Sequence, residues 1–147
     1  MKKHITRLLF AALLLLALCI GASAAGTSGK CGPSAYWSFD SSTGTLTISG
    51  SGAMNDYEYG VYPWMNYRDS IQTIVIGDQI TQIGRYAFTV TACSTIKFGK
   101  NVRSIGERAF LECRNLNGDL TIPDSVVEIG EGAFYQCENL NGTLTLG

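Results

Sequence analysis

The amino-acid sequence predicts a mainly β protein that is built as a right-handed solenoid of about three coils. The motif Ile-Gly-x-x-Ala-Phe occurs three times, starting at Ile83, Ile105 and Ile129, at spacings of 22 and 24 residues. A pair of apolar residues separated by one residue precedes each copy, as expected for a short strand. Gly and β-branched residues interrupt every stretch that is long enough for a helix. A period of this length, with one strand and one return segment in each unit, is typical of leucine-rich repeats.

The same repeat predicts the core. Alternation along a strand sends every second side chain inward, and one unit can bury its apolar side only against the next unit. The predicted structural core consists of the Ile and the Phe of each motif, namely Ile83, Phe88, Ile105, Phe110, Ile129 and Phe134. We expect the three Phe side chains to stack in one column, with Phe110 in the middle.

Residues 31–70 lack the repeat and are predicted to cap the N-terminal end. Two alternating segments flank the turn-forming residues 40–44, which predicts a β-hairpin. A first coil has no neighbour on one side, so it needs a cover. The predicted domains are a signal peptide, 1–24, a flexible lead-in, 25–30, a hairpin and aromatic cap, 31–70, and leucine-rich repeats, 71–147, with an incomplete fourth coil.

The N-terminal segment has the pattern of a secretory signal peptide. Lys2, Lys3 and Arg7 precede a 13-residue apolar run over 8–20, and small residues follow at 22–24. A membrane-spanning helix needs about 20 apolar residues, so an uncleaved anchor is the less favoured alternative. We therefore expect a secreted or cell-surface protein that has no membrane span after cleavage.

The composition beyond residue 24 excludes several classes of function. Three of the eleven Lys and Arg residues lie in the first 24, which leaves 8 against 12 Asp and Glu, and the only His lies there as well. Nucleic-acid binders need a basic surface, and Ser-His nucleophiles and His-ligated zinc need histidine. We predict no enzyme activity, no metal and no cofactor; a hydrolase that uses Asp56 or Glu58 is the least favoured alternative.

Four cysteines follow the signal peptide, and their state is open. Cys113 and Cys137 each lie three residues after a motif Phe, so they are expected to stack one coil apart. Export permits a disulfide between them, whereas a cysteine at an interior position also serves as a small apolar side chain. Free buried thiols are the interpretation we favour. Cys93 follows its Phe by five residues, which leaves the local turn of that coil open.

The unit from Cys113 to Phe134, C-x-N-L-N-G-x-L-T-I-P-x-S-V-x-x-I-G-x-x-A-F, resembles the BspA-type bacterial leucine-rich repeat. The leader from Trp37 to Met54, with Pro63-Trp64 after it, resembles the N-terminal region of such proteins in Gram-positive gut anaerobes. The resemblance covers nearly all of residues 31–147. It implies a secreted or cell-surface protein, often modular, with adhesive or host-interaction roles, and it implies no catalytic residues.

Two sets of residues are candidate binding sites. Outward strand positions form a polar face that favours broad contact with an extracellular protein or host surface component over a small-molecule pocket. This face consists of Thr73, Val75, Thr95, Lys97, Asp119, Thr121, Thr143 and Thr145. An aromatic set is a candidate sugar- or peptide-binding patch, although the interpretation we favour is that it seals the open end of the solenoid; it consists of Tyr57, Tyr59, Tyr62, Trp64 and Tyr67.

Each of these interpretations has an alternative. Solvated threonine is common in strands and needs no binding function. A passive spacer or display module of a longer surface protein is therefore the alternative to binding. Leu144-Thr145-Leu146 begins a fourth coil with no return segment after it, and terminal repeats normally carry polar caps. We therefore predict that these 147 residues are the N-terminal part of a longer protein.

Overall fold

A computed structural model of the chain describes residues 27–146. The described residues form eleven strands and one short 3-10 helix, Met65–Tyr67. The strands are β1 (Ser28–Lys30), β2 (Ala35–Asp40), β3 (Thr45–Gly50), β4 (Gly52–Ala53), β5 (Thr73–Ile76), β6 (Ile80–Ile83), β7 (Thr95–Lys97), β8 (Ser104–Ile105), β9 (Leu120–Ile122), β10 (Glu128–Ile129) and β11 (Leu144–Leu146). The predicted mainly β solenoid is confirmed. The predicted signal peptide lies outside the described residues.

Parallel strand ladders hold successive coils together on two sides of the solenoid. On one side β3, β5 and β7 pair in parallel, so that Thr45, Thr73 and Thr95 lie in one row. On the return side β4, β6, β8 and β10 form a four-stranded sheet. Four return strands correspond to about four turns, one more than the repeat motif predicted.

A third ladder runs through the turns that carry the motif Phe residues. The Phe88 N–H donates to the Ala109 carbonyl at 2.7 Å, and the Phe110 N–H donates to the Ala133 carbonyl at 2.8 Å. The coils that carry the motif are therefore bonded to one another through these turns as well as on the return side. Buried backbone groups need such partners because an unpaired one costs about as much as a lost hydrogen bond.

Aromatic rings stack along the axis inside the coils. The ring centroids of Phe88 and Phe110 lie 5.1 Å apart, and those of Phe110 and Phe134 lie 5.2 Å apart. Phe88, Phe110, Ile83 and Ile105 are all buried, which confirms these members of the predicted core. The column continues beyond the three predicted rings, because Trp64 stacks on Phe88 at 5.5 Å.

The predicted separate cap, 31–70, is wrong for its second half. β3 pairs with β5, β4 pairs with β6, and Trp64 takes the column position of a motif Phe, so residues 45–70 form a divergent first coil. The repeat is hidden there because Leu46 precedes Trp64 by 18 residues, whereas Ile74 precedes Phe88 by 14. Only β1 and β2, which add to the sheet in antiparallel fashion, close its end.

The flexible lead-in predicted over 25–30 is also corrected within the described residues. Ser28–Lys30 forms β1 and pairs with β2, with Gly29 opposite Trp37. A Cβ at Gly29 would lie 2.9 Å from the Trp37 indole nitrogen, so glycine lets the strand pass close to that ring. The composition of the segment suggested disorder, but the unpaired edge of β2 supplies partners for its backbone groups.

Ile129 does not belong to the core as predicted. Its side chain is 45% exposed, and Phe134, at the end of the ring column, is half-buried. Large apolar side chains around them are exposed too, namely Val127, Tyr135, Leu144 and Leu146. No described coil packs on this end, so the side chains that an interior coil would bury lie open.

We predict that the local stability of the chain is low at the open end. Local opening costs least where few apolar contacts hold the chain. We expect the amides of 144–146 to exchange with solvent at least a hundredfold faster than those of Phe88 and Phe110, as measured by native-state hydrogen exchange. Equal protection of the two sets would mean that the end is sealed.

Candidate functional site

The strand face is built by strict alternation. In β5 the side chains of Ile74 and Ile76 are buried, and the intervening Val75 points outward and is half-buried. The pairing places Val75 between Thr47 of β3 and Lys97 of β7. The predicted outward residues Thr95, Lys97, Thr121 and Thr145 are exposed, Thr73 and Val75 are half-buried, and Asp119 and Thr143 lie exposed just before β9 and β11.

The structure extends this face onto the hairpin, which the sequence analysis missed. β2 pairs with β3 so that Ser38 lies beside Thr47, and Tyr36 lies beside Ser49. Tyr36 is 44% exposed, and the Lys30 ammonium lies 5.8 Å from its ring centroid. The signal was present in the sequence, since Thr45 and Thr47 alternate with buried Leu46 and Ile48 as the repeat strands do. The face therefore spans five hydrogen-bonded strands.

The face is not continuous as predicted, because the described strands β7 and β9 are not paired. Proline explains the break. The Gly77 N–H donates to the Ile48 carbonyl at 2.8 Å, and Gly99 approaches Gly77 so closely that a Cβ would lie 2.3 Å from the Gly77 oxygen. Pro123 takes this position in the next coil. It has no N–H to donate, and its ring prevents the close approach.

A cleft of about 410 Å³ opens where the ladder is broken. Its lining is Asp78, Ile96, Lys97, Phe98, Lys100, Asp119, Thr121 and Pro123. The Lys100 ammonium lies 3.3 Å from the Asp78 carboxylate, and the Lys100 N–H also donates to it. That backbone hydrogen bond, with the nearby ammonium, lowers the pKa of Asp78 below its usual range.

Most side chains of the candidate aromatic patch are interior, which does not fit a sugar- or peptide-binding platform. Trp64 is fully buried, and its indole N–H donates to the Ala87 carbonyl at 3.1 Å. Tyr62 is 6% exposed, and its hydroxyl donates to the Thr89 carbonyl. Burial raises the pKa of Tyr62 to about 12. Large rings that end in a polar group pack well where their hydroxyl or N–H finds a buried acceptor.

The other three aromatic residues of that set occupy different positions. Tyr67 is half-buried and stacks on Phe39 at 4.8 Å, and Tyr57 is half-buried against Trp64 at 5.6 Å. Tyr59 alone of the five is exposed, at 52%, and its hydroxyl donates to Glu112 at 3.0 Å. Four of the five therefore pack into the first coil, which agrees with the favoured interpretation that they seal the solenoid.

A cluster of Tyr and Arg on the turn side was also missed. The Arg108 guanidinium donates to the Tyr86 hydroxyl at 2.9 Å and to Glu107 at 2.6 Å. Tyr86 and Arg108 have φ angles of 55° and 51°, and Gly132 occupies the same position in the next coil. Left-handed backbone is uncommon for residues with a Cβ. The aligned repeats contained a signal for this cluster, because two motif copies carry Tyr and Arg at the position where the third copy has Gly132.

The thiols lie in the interior of the stack, and the described cysteines are all free. The Cys113 thiol donates to the Phe88 carbonyl at 3.1 Å, and the Cys137 thiol donates to the Phe110 carbonyl at 3.2 Å. Thr91 takes the equivalent position in the preceding coil, with its hydroxyl 3.3 Å from the Cys113 sulfur. Because Thr91 occupies the position that holds cysteine in the other two coils, the cysteine of this coil lies two residues later, at Cys93. Burial raises the pKa of Cys31 to about 12.

Of the two carboxylates considered as hydrolase residues, Asp56 and Glu58, the first has a structural hydrogen-bond partner. Asp56 accepts a hydrogen bond from the Arg85 N–H at 2.8 Å, which ties the first coil to the second. Between residues 27 and 146, no group of three or more His, Cys, Asp and Glu side chains is arranged to hold a metal ion. Over the same range, no helix is long and apolar enough to cross a membrane.

The fold and the strand face define a leucine-rich-repeat solenoid. Residues 61–144 match six copies of the BspA type Leucine rich repeat region. Because the match covers more than half of the chain, the chain belongs to the BspA-type leucine-rich-repeat family. No protein of curated function matches it significantly.

Two solved structures show a similar fold. A leucine-rich repeat protein from Eubacterium ventriosum ATCC 27560 has a TM-score of 0.51 and 22% identity, over 82% of this chain and 44% of its own. A leucine-rich repeat protein from Bacteroides capillosus ATCC 29799 has a TM-score of 0.53 and 19% identity, over 82% of this chain and 99% of its own. The chain thus spans less than half the length of the first and nearly all of the second.

Proposed function

We propose that this is a secreted or cell-surface protein that binds another protein, without catalysis, through its strand face. One observation carries the proposal: the outward side chains of β2, β3, β5 and β7 lie in register across an open sheet surface. A broad, open surface suits contact with a protein, whereas small molecules are held in concave pockets. Membership of a leucine-rich-repeat family supports the same role.

The chemistry of the face also supports protein contact. Its outward positions carry mainly small hydroxyl side chains, one exposed aromatic ring at Tyr36, and two cations, Lys97 and the Lys30 beside that ring. Tyrosine is enriched among the residues that dominate binding energy, and short hydroxyl side chains supply hydrogen bonds around such anchors. The partner we propose is an extracellular protein or a host surface component. The basic start and apolar run of the N-terminal segment support export.

The test is a binding measurement on matched variants. We expect Val75→Arg, which places a bulky charge in the middle of the face, to weaken binding at least tenfold, equivalent to about 1.4 kcal/mol. Val127→Arg is the control, because Val127 is 82% exposed on the return side and receives the same substitution. Binding is measured by surface plasmon resonance against a panel of purified extracellular matrix and secreted proteins.

The outcomes separate the candidate functions. Weakening by Val75→Arg alone supports the strand face. Weakening by Val127→Arg alone would move the binding surface to the return side and contradict the proposal. If no member of the panel binds the parent protein, the passive spacer or display module is the better account.

A further inference from the structure

The cleft between β7 and β9 separates the five-stranded part of the strand face from the pair β9 and β11. Pro123 breaks the ladder there, and the cleft exposes part of the core. Ile96 and Phe98 point inward but remain half-buried, whereas their counterparts Ile74 and Ile76 in β5 are buried. The Phe98 ring rests edge-on against Phe110, at 6.0 Å between centroids. The floor of the cleft is therefore apolar, and the Phe110 ring packs against it from the interior.

The cleft is too narrow to admit a whole strand. The same two coils are bonded on the return side, where Ile105 pairs with Ile129, and on the turn side, where Phe110 donates to Ala133. Inserting a strand would double the usual spacing of about 4.8 Å between the neighbours. Bonded coils cannot separate that far on one side alone. The cleft can receive side chains from a segment that lies over the face.

One cation that lines the cleft has no carboxylate partner. Asp78 is paired with Lys100, and Asp119 accepts the Thr143 N–H at 2.7 Å. Lys97 is exposed and forms no ion pair or side-chain hydrogen bond with any described residue. Asp78 and Lys100 neutralise each other, whereas Asp119 keeps its negative charge, since a backbone N–H does not neutralise a carboxylate. Lys97 is the one cation of the lining that has no carboxylate partner, and it is the group that can attract a carboxylate of a bound segment.

We propose that this cleft selects the partner by binding an extended segment that carries a large apolar side chain and an acidic side chain two residues apart. Residues i and i+2 of an extended chain point to the same side, about 6.6 Å apart. The apolar side chain fills the space over Ile96 and Phe98, and the carboxylate pairs with Lys97. The inference rests on the proposed function, because it names the partner chemistry that the strand face recognises.

The test uses defined peptides and does not require a known partner. Two fluorescein-labelled ten-residue peptides of Ser and Thr carry a central Phe-Ser-Glu or Phe-Ser-Lys, and their affinity for the full chain is measured by fluorescence anisotropy. We expect the Glu peptide to bind about fivefold more tightly than the Lys peptide. Lys97→Glu should reverse this preference. Arg103→Glu, the same charge change at an exposed position on the return side, should leave it unchanged.

A second variant tests the cleft independently of the charge. Pro123→Gly restores an N–H and permits the close approach seen at Gly99, so β9 should pair with β7 and close the cleft. We expect this variant to bind the Glu peptide at least tenfold more weakly, with a circular dichroism spectrum like that of the parent. Equal binding of the two peptides by the parent, or no binding of either, would overturn the proposal. So would a preference that survives Lys97→Glu.

Failure of this inference and failure of the proposed function are distinguishable. A protein partner that responds to Val75→Arg but not to Lys97→Glu or Pro123→Gly would leave the strand face intact and overturn the cleft. A peptide preference that reverses with Lys97→Glu, combined with no protein partner sensitive to Val75→Arg, would support the cleft and overturn the wider face.

Discussion

Replacing Phe110 with Ala should lower the free energy of unfolding by about 3 to 5 kcal/mol. Phe110 is fully buried, and its ring stacks between Phe88 and Phe134 at 5.1 and 5.2 Å. The truncation leaves a cavity that rigid neighbouring coils cannot fill. Small domains are stable by about 5 to 15 kcal/mol, so the variant should be largely unfolded or melt far below the parent. Thermal and urea unfolding followed by circular dichroism measure the loss.

Tyr135→Ala is the control for this substitution. Tyr135 lies one residue beyond the end of the ring column and is 62% exposed, so its truncation removes an aromatic ring of similar size from the surface. Exposed substitutions usually change stability by less than about 0.5 kcal/mol. If the Phe110→Ala variant melts within a few degrees of the parent, the ring column does not stabilise the core.

Trp64→Ala should cost a similar amount, about 3 to 5 kcal/mol. The variant loses a fully buried ring that stacks on Phe88 at 5.5 Å, and it leaves the Ala87 carbonyl without its indole donor. A buried acceptor that loses its partner costs about 1 to 3 kcal/mol. This cost places the expected loss toward the upper end of the stated range. Urea unfolding with a single probe of secondary structure measures the loss.

This substitution tests whether residues 45–70 are a true coil. If they are, removal of Trp64 destabilises the whole solenoid, and unfolding stays a single transition. If they are a separate cover, the repeats should keep their stability and only the hairpin should loosen. Tyr59→Ala is the matched control, because Tyr59 belongs to the same segment and is 52% exposed.

The repeated part of the fold could be predicted because its spacing is nearly constant. Ile83 and Ile105, like Phe88 and Phe110, recur at one interval and therefore share one environment. Periodicity assigns a residue to a position but says nothing about whether a neighbour covers it. Ile129 fits the pattern and is nonetheless exposed, because burial in a solenoid depends on the next coil.

The rest of the fold could not be predicted because other contacts decide it. Residues 45–70 fold as a coil with a longer connection and a Trp in place of Phe, so no repeat is visible in the sequence. Ser28–Lys30 is polar and becomes a strand only because the edge of β2 is available. The break in the strand face depends on Pro123, whose position opposite Gly99 is known only once the coils are in register.

The candidate site was predicted in part. Alternation correctly placed Thr95, Lys97 and Thr121 on the outer surface. The aromatic patch kept two interpretations at the sequence level because an amphipathic ring suits both a ligand surface and a core that offers an acceptor, and sequence does not reveal the acceptor. Tyr36 was missed because its strand was assigned to a cover and not to the sheet.

The most direct test of the strand face as the binding surface is hydroxyl-radical footprinting of the protein with a bound partner. Tyr36 reports on the strand face, and Tyr59 and Tyr135 report on surfaces outside it; all three are exposed in the free protein. We predict that complex formation lowers the oxidation rate of Tyr36 at least fivefold and leaves Tyr59 and Tyr135 unchanged. Protection of Tyr59 or Tyr135 with Tyr36 unaffected would contradict the account.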